Sequence, residues 1–189
     1  MGLTGKAGKR PAAGRNITLT GFMGTGKSAV GMRLAARLGL KFLDIDSLIE
    51  KETGSTIMEI FRRDGEKGFR ALESEVIGKL TSGAYGTGLV VSTGGGAVVD
   101  PRSRAALKAW STLVCLTAPM EDIVERVSRN EQRPMLDSRD KRARVEELMR
   151  QREGAYRDSH IMVDTGSMDV DGVVARIEKA LAERRPEGE

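Results

Sequence analysis

The stretch GFMGTGKS, Gly21 to Ser28, follows the apolar run ITLT and precedes AVGMRLAARLG. It fits G-x-x-x-x-G-K-[ST], a pattern whose setting is a buried strand turning through glycines into an amphipathic helix. Glycines at Gly21, Gly24 and Gly26 let successive backbone N–H groups turn inward, and the helix N-terminus adds its dipole, so phosphate oxygens meet donors without side-chain crowding. Lys27 then reaches the β- and γ-phosphates, and the Ser28 hydroxyl offers an oxygen to Mg²⁺. With Thr25 and Ala29 completing it, the loop is predicted to hold a nucleoside triphosphate.

That start constrains the rest of the chain. Short β-branched runs alternate with longer helix-period runs, the pattern of βαβ units and a parallel sheet covered on both faces. Strands are expected at Ile17–Thr20, Lys41–Leu43, Leu89–Ser92, Thr112–Thr117 and His160–Val163. Helices are expected at Lys27–Leu38, Ile57–Arg63, Glu66–Leu80, Arg102–Ala109, Glu121–Ser128, Lys141–Arg157 and Val170–Arg184. Pro101 and Pro119 fall near helix starts, with Asp100 as a cap for the first. SGAYGTG, Ser82 to Gly88, is a turn-rich connection, and NEQRPMLDSRD, Asn130 to Asp140, has no apolar period and reads as a long mobile loop. Residues 16–184 form one domain, preceded by a flexible basic tail at 1–15 and followed by a short tail at 185–189.

An ordinary second metal site would be an acid at the end of the strand GLVVSTGGG, but Ser92, Thr93 and three glycines stand there. The acids occur instead in KFLDID, where Asp44 and Asp46 project to the same side if the chain stays extended. Carboxylate oxygens suit a hard cation. Alternatively, Asp46 or Ser47 serves only to cap a helix beginning DSLIE.

Composition excludes several other functions. A net charge of +4, from 31 Lys and Arg against 27 Asp and Glu, suits an anionic ligand but, with 4% aromatics, does not argue for nucleic acid. One cysteine, Cys115, rules out an internal disulfide, and with one histidine, His160, no Cys/His zinc site can be assembled. Cys115 lies inside TLVCLT and is expected in the core. His160 has no visible catalytic partner and is expected at a strand edge or the surface. No apolar stretch reaches the roughly 20 residues of a membrane span, and a cytoplasmic monomer is expected.

GFMGTGKSAVG, FLDID, IFRRDGEKGFRALE, STGGGAV, RPML and QREGAYR, in that order and separation, resemble the shikimate kinases across roughly Asn16 to Glu183. The resemblance implies an α/β, three-layer P-loop NTPase fold of the nucleoside-monophosphate-kinase type, with a central parallel five-stranded sheet, helices on both faces and a mobile lid at about 130–140. It implies that MgATP phosphorylates the 3-hydroxyl of shikimate in chorismate biosynthesis. By family position Asp44 and Ser28 serve Mg²⁺, Asp46 binds the hydroxyls of shikimate, and Arg70 and Arg152 hold its carboxylate. Gly94, Gly95 and Gly96 would let backbone N–H groups approach a substrate hydroxyl, Arg126 would pack on adenine, and Arg133 of the lid would close over the transferring group. Two guanidiniums on one carboxylate fix orientation as well as charge. Kinases of gluconate or of nucleoside monophosphates are the enzymatic rivals, and a non-catalytic nucleotide-binding module is the rival of another class. A module of that kind could discard Lys27, Asp46 or Arg133, which this chain retains.

Overall fold

A computed structural model describes residues 16–128 and 141–184. Among them, five parallel strands form one sheet: β1 (Asn16–Gly21), β2 (Lys41–Asp44), β3 (Leu89–Ser92), β4 (Ser111–Thr117) and β5 (Ile161–Asp164), in the order β2-β3-β1-β4-β5. The loop-bearing strand β1 is central, and both its faces are buried, as its unbroken apolar and threonine pattern requires. The helices are α1 (Lys27–Leu38), α2 (Ile45–Thr53), α3 (Ile57–Thr81), α4 (Pro101–Trp110), α5 (Met120–Ser128), α6 (Lys141–Arg157) and α7 (Val170–Glu183). Ile17, Leu19, Val114 and Val163 pack against α1 and α7, whereas Leu113, Cys115 and Val91 face a larger core of Ile60, Ile77, Leu80, Val145 and Leu148 on the other side. Fully burying such a side chain contributes about 1.5–3 kcal/mol.

The strand order reverses at β1, with β3 on one side and β4 on the other, so a crevice opens beyond the carboxyl ends of these strands. All the candidate polar residues that fall within the described chain lie at that end. The expected fold class is observed, and the chain breaks where local chemistry demands it. Asp100 caps α4, accepting from the N–H groups of Arg102 and Ser103 at 3.2 and 3.1 Å, with Pro101 at the first helical position. The two helices expected on either side of Gly65 are one element with a break at that glycine (φ 67°, ψ −174°). Cys115 is fully buried, and burial pushes its thiol up to about 12. His160 sits just before β5, where its backbone N–H donates to the Leu113 carbonyl and its ring Nδ1 accepts from the Leu113 N–H at 3.0 Å.

One expectation is corrected. Asp44 and Asp46 do not alternate along an extended strand, because β2 ends at Asp44 and α2 begins at Ile45. The cap of α2 is Asp44 itself, whose Oδ1 accepts from the Asp46 N–H at 3.0 Å, so neither Asp46 nor Ser47 serves that purpose. Entry into the helix sends the two carboxylates to different neighbours. The expected lid, with Arg133, and the expected tails at 1–15 and 185–189 lie outside the described residues.

Candidate active site

The phosphate loop is shaped by its backbone. Gly21 has φ 131°, and a Cβ there would come within 2.1 Å of the Leu116 carbonyl oxygen of β4. Gly26 caps α1 in the left-handed region (φ 85°, ψ 15°), which leaves the first amides of the helix pointing into the crevice. Thr25 is buried and donates through Oγ1 to the Phe22 carbonyl at 2.8 Å, pinning the turn from beneath. Lys27, only 9% exposed, donates through Nζ to the carbonyls of Gly21 and Phe22 at 3.0 and 2.9 Å, so its ammonium lies across the mouth of the loop. Ser28 and Ala29 follow on the exposed first turn of α1.

Ser28 Oγ donates to Asp44 Oδ2 at 2.8 Å and lies 3.4 Å from the Ser92 hydroxyl at the end of β3. The acid absent from β3 is thus supplied by the neighbouring strand end. Hard oxygens side by side at a phosphate loop fit a magnesium ion, which typically uses one or two protein oxygens and fills its octahedron with phosphate and water. No cluster of three or more His, Cys, Asp or Glu suited to a metal occurs among the described residues. A nucleotide-bound ion of this kind needs none. Beside the loop, α5 packs against Gly24: Val127 would lie 3.3 Å from a Cβ at that position, and Arg126 donates from Nη1 to the Gly24 carbonyl at 3.3 Å while pairing with Asp122.

On the other side of the loop the polar groups come from long side chains. Arg70 reaches from α3 and pairs with Glu73 at 2.6 Å and Glu66 at 3.2 Å. Arg152, on α6, is only 6% exposed, and its guanidinium carbon lies 5.8 Å from the centre of the Phe22 ring. The glycine run explains how these groups fit together. A Cβ on Gly96 would sit 2.3 Å from Arg70 Nη2, one on Gly95 would sit 3.7 Å from Arg152 Nη1, and one on Gly94 would sit 2.6 Å from Glu73 Oε1 and 3.3 Å from Asp46 Oδ1. Residues from α2, α3, α6 and the turn after β3 therefore meet in one place. Within the described chain, every residue expected at the acceptor end arrives there. The triglycine segment is a surface on which guanidiniums and carboxylates rest.

The chain's similarity to known proteins is extensive. Residues 23–182 match the family model described as Shikimate kinase. A shikimate kinase of Geobacter sulfurreducens is 45% identical over 93% of this chain and 95% of its own, and one of Pelotomaculum thermopropionicum is 46% identical over 89% and 96%. The solved structure of a shikimate kinase from Acinetobacter baumannii in complex with shikimate superposes with a TM-score of 0.87 at 35% identity, covering 93% of this chain and 97% of that one. The chain belongs to the shikimate kinase family.

Within this candidate site, Glu73 is one residue that sequence reasoning missed. It is 2% exposed and carries a carboxylate on the buried stripe of α3 with Phe69, Val76, Ile77 and Leu80. Burial raises its pKa and the Asp46 charge adds to that rise, while Arg70 and Arg152 oppose both. The signal was present: a glutamate in the apolar phase of a helix, three residues after Arg70, calls for a cation at its tip. Tyr156 is the second omission. Its hydroxyl donates to the Gly95 carbonyl from one turn beyond Arg152, and burial pushes its phenol up to about 12 against the opposing Arg152 charge. It ties α6 to the glycine run.

Proposed function

We propose that the chain transfers the γ-phosphoryl group of MgATP to the 3-hydroxyl of shikimate, giving shikimate 3-phosphate and ADP. The observation that carries this reading is the convergence of Arg70, Arg152 and Asp46 on Gly94–Gly96, directly beside the phosphate loop. A cation pair suits the acid of the ring, and a carboxylate suits its hydroxyls. Gluconate has a carboxylate but no ring to fill the space between these groups.

In this reading the amides of Gly24, Thr25, Gly26, Lys27, Ser28 and Ala29 hold the polyphosphate, and the Lys27 ammonium leaves the carbonyls of Gly21 and Phe22 for the phosphoryl oxygens. Arg126 flanks the adenine. Ser28 and Asp44 would hold the magnesium ion, which supplies charge neutralisation to the phosphates when bound. Arg70 and Arg152 fix the shikimate carboxylate, Asp46 orients the reacting hydroxyl and accepts its proton late in the transfer, and Gly94, Gly95 and Gly96 bring main-chain groups against the ring. Catalysis is then mainly alignment and electrostatics, since a loose phosphoryl transition state requires no strong base. Arg133, from the segment expected as the lid, would bring a further cation to the transferring group. Among the described residues no helix is long and apolar enough to cross a membrane.

The direct test is steady-state turnover of purified protein with ATP and Mg²⁺, offering shikimate, gluconate and AMP in parallel. Turnover with shikimate alone is expected. Phosphorylation of gluconate or AMP without shikimate would overturn the assignment.

A further inference from the structure

Behind the phosphate loop lies a second concavity, which shares Phe22, Thr25 and Tyr156 with the site described above. The edge strand β5 turns Ile161 and Val163 toward α1 and α7, leaving Met162 on the opposite face, 51% exposed. Helix α6 does not cover it. The resulting groove, about 380 Å³, is floored by Phe22, Ile123, Met149, Tyr156 and Met162, and Arg150, Glu153 and Arg157 stand at its rim. That volume is at the small end of ligand pockets, too small for a protein segment with side chains and adequate for one compact molecule.

We infer that this groove binds a small aromatic carboxylate and that its occupancy is felt at Arg152. The floor offers two rings and two thioethers, which favour a flat π-system over an aliphatic chain. The rim carries two guanidiniums against one carboxylate. Their present partners are glutamates of the same helix, Glu147 for Arg150 and Glu153 for Arg157, and these pairs are exposed. Exposed pairs of this spacing contribute little, so a ligand carboxylate can exchange with them at small cost. Glu153 limits the ligand to a single negative charge.

The coupling follows from shared parts. Phe22 lines the groove while its ring faces the Arg152 guanidinium, and Tyr156 lines it while its hydroxyl donates to the Gly95 carbonyl. A molecule pressing on both bears on the position of Arg152, and by reciprocity shikimate must alter the affinity of the groove ligand by the same factor. This coupling rests on Arg152 holding shikimate. Binding in the groove does not, so the two can fail separately.

The probe is 3-phenylpropanoate, followed by ligand-observed NMR on the full chain with and without saturating shikimate. Saturable binding at about 1 mM or tighter is expected, persisting when shikimate is in excess. Met162→Glu, on an exposed strand position outside the active site, should abolish it while leaving shikimate kinetics unchanged in the absence of probe. Arg157→Ala should weaken it several-fold, and neutral 3-phenylpropanol should bind correspondingly less well. Strictly competitive displacement of the probe by shikimate, without the plateau that coupling gives, indifference to Met162→Glu, or absence of saturable binding would overturn the site. Equal binding of the alcohol and the acid would overturn the carboxylate. An unchanged shikimate KM with the groove filled would overturn the coupling alone.

Discussion

At the phosphate end of the crevice the shape belongs to the main chain: Gly21 presses on a β4 carbonyl, Gly26 is left-handed, and the amides that follow need only those conformations. At the acceptor end the shape belongs to side-chain tips from three helices, seated on a glycine surface and braced against one another. The contrast teaches that one end is specified locally and tolerates little, whereas the other is specified by packing and can be retuned one side chain at a time. A triphosphate is the same for many enzymes, and an acceptor is not.

The largest effect that would sharpen this contrast is Lys27→Met. It should lower kcat by about 10³-fold or more, because charge stabilisation of the transferring group is the main resource of such enzymes. Its melting temperature should drop only a few degrees, reflecting two lost hydrogen bonds to loop carbonyls. Substantial residual turnover would show that the loop does not address the phosphates as argued.

Arg152→Ala comes next. Removing one of two cations from a desolvated carboxylate costs about 2–4 kcal/mol, so kcat/KM for shikimate should fall roughly 30- to 1000-fold while KM for ATP stays within about twofold. Equal losses for both substrates would erase the distinction between the two ends.

A pair of alanine substitutions tests the same distinction through stability. Gly21→Ala drives a Cβ into backbone at 2.1 Å at an unfavourable φ, and unfolding should shift down by about 10 °C or more. Gly96→Ala meets only the movable end of Arg70, at 2.3 Å. Its melting temperature should stay near that of the parent, with KM for shikimate raised about tenfold. Thermal scans and kinetics on the two proteins would break the comparison if Gly96→Ala also unfolded.

The smallest effect concerns Glu73. Its pKa is raised in the folded state, chiefly by burial, so the stability linked to its proton is complete below the unfolded value near 4.3 and is lost as pH rises through the folded one. Glu73→Gln should flatten the stability profile within that window, between the unfolded and folded values, and, by loosening Arg70, raise KM for shikimate several-fold. Urea unfolding at stepped pH would detect the change, and an unaltered profile would mean that burial does not govern this carboxylate.

How much of this was legible in the sequence follows the same division. The loop is contiguous, so its motif and flanking periodicity announced both β1 and α1, and the Gly65 break was visible between two apolar periods. Helix α2 entered only as the alternative in which Asp46 or Ser47 caps it, because nine residues give barely two turns and its actual cap, Asp44, is also the last residue of a strand. The acceptor residues lie far apart along the chain, from Asp46 to Arg152, and sequence alone would leave each arginine as a surface ion pair. Only the family resemblance selected them. Glu73 escaped because its partner is another site residue, and its burial is a property of α3 docked on the core.

The most direct measurement is calorimetric titration of shikimate and of ADP with Mg²⁺, separately, into the parent chain and Arg152→Ala. The account predicts that ADP binds both proteins within about twofold, whereas shikimate affinity drops by at least tenfold in the variant. Undiminished shikimate binding, or a matching loss for ADP, would contradict it.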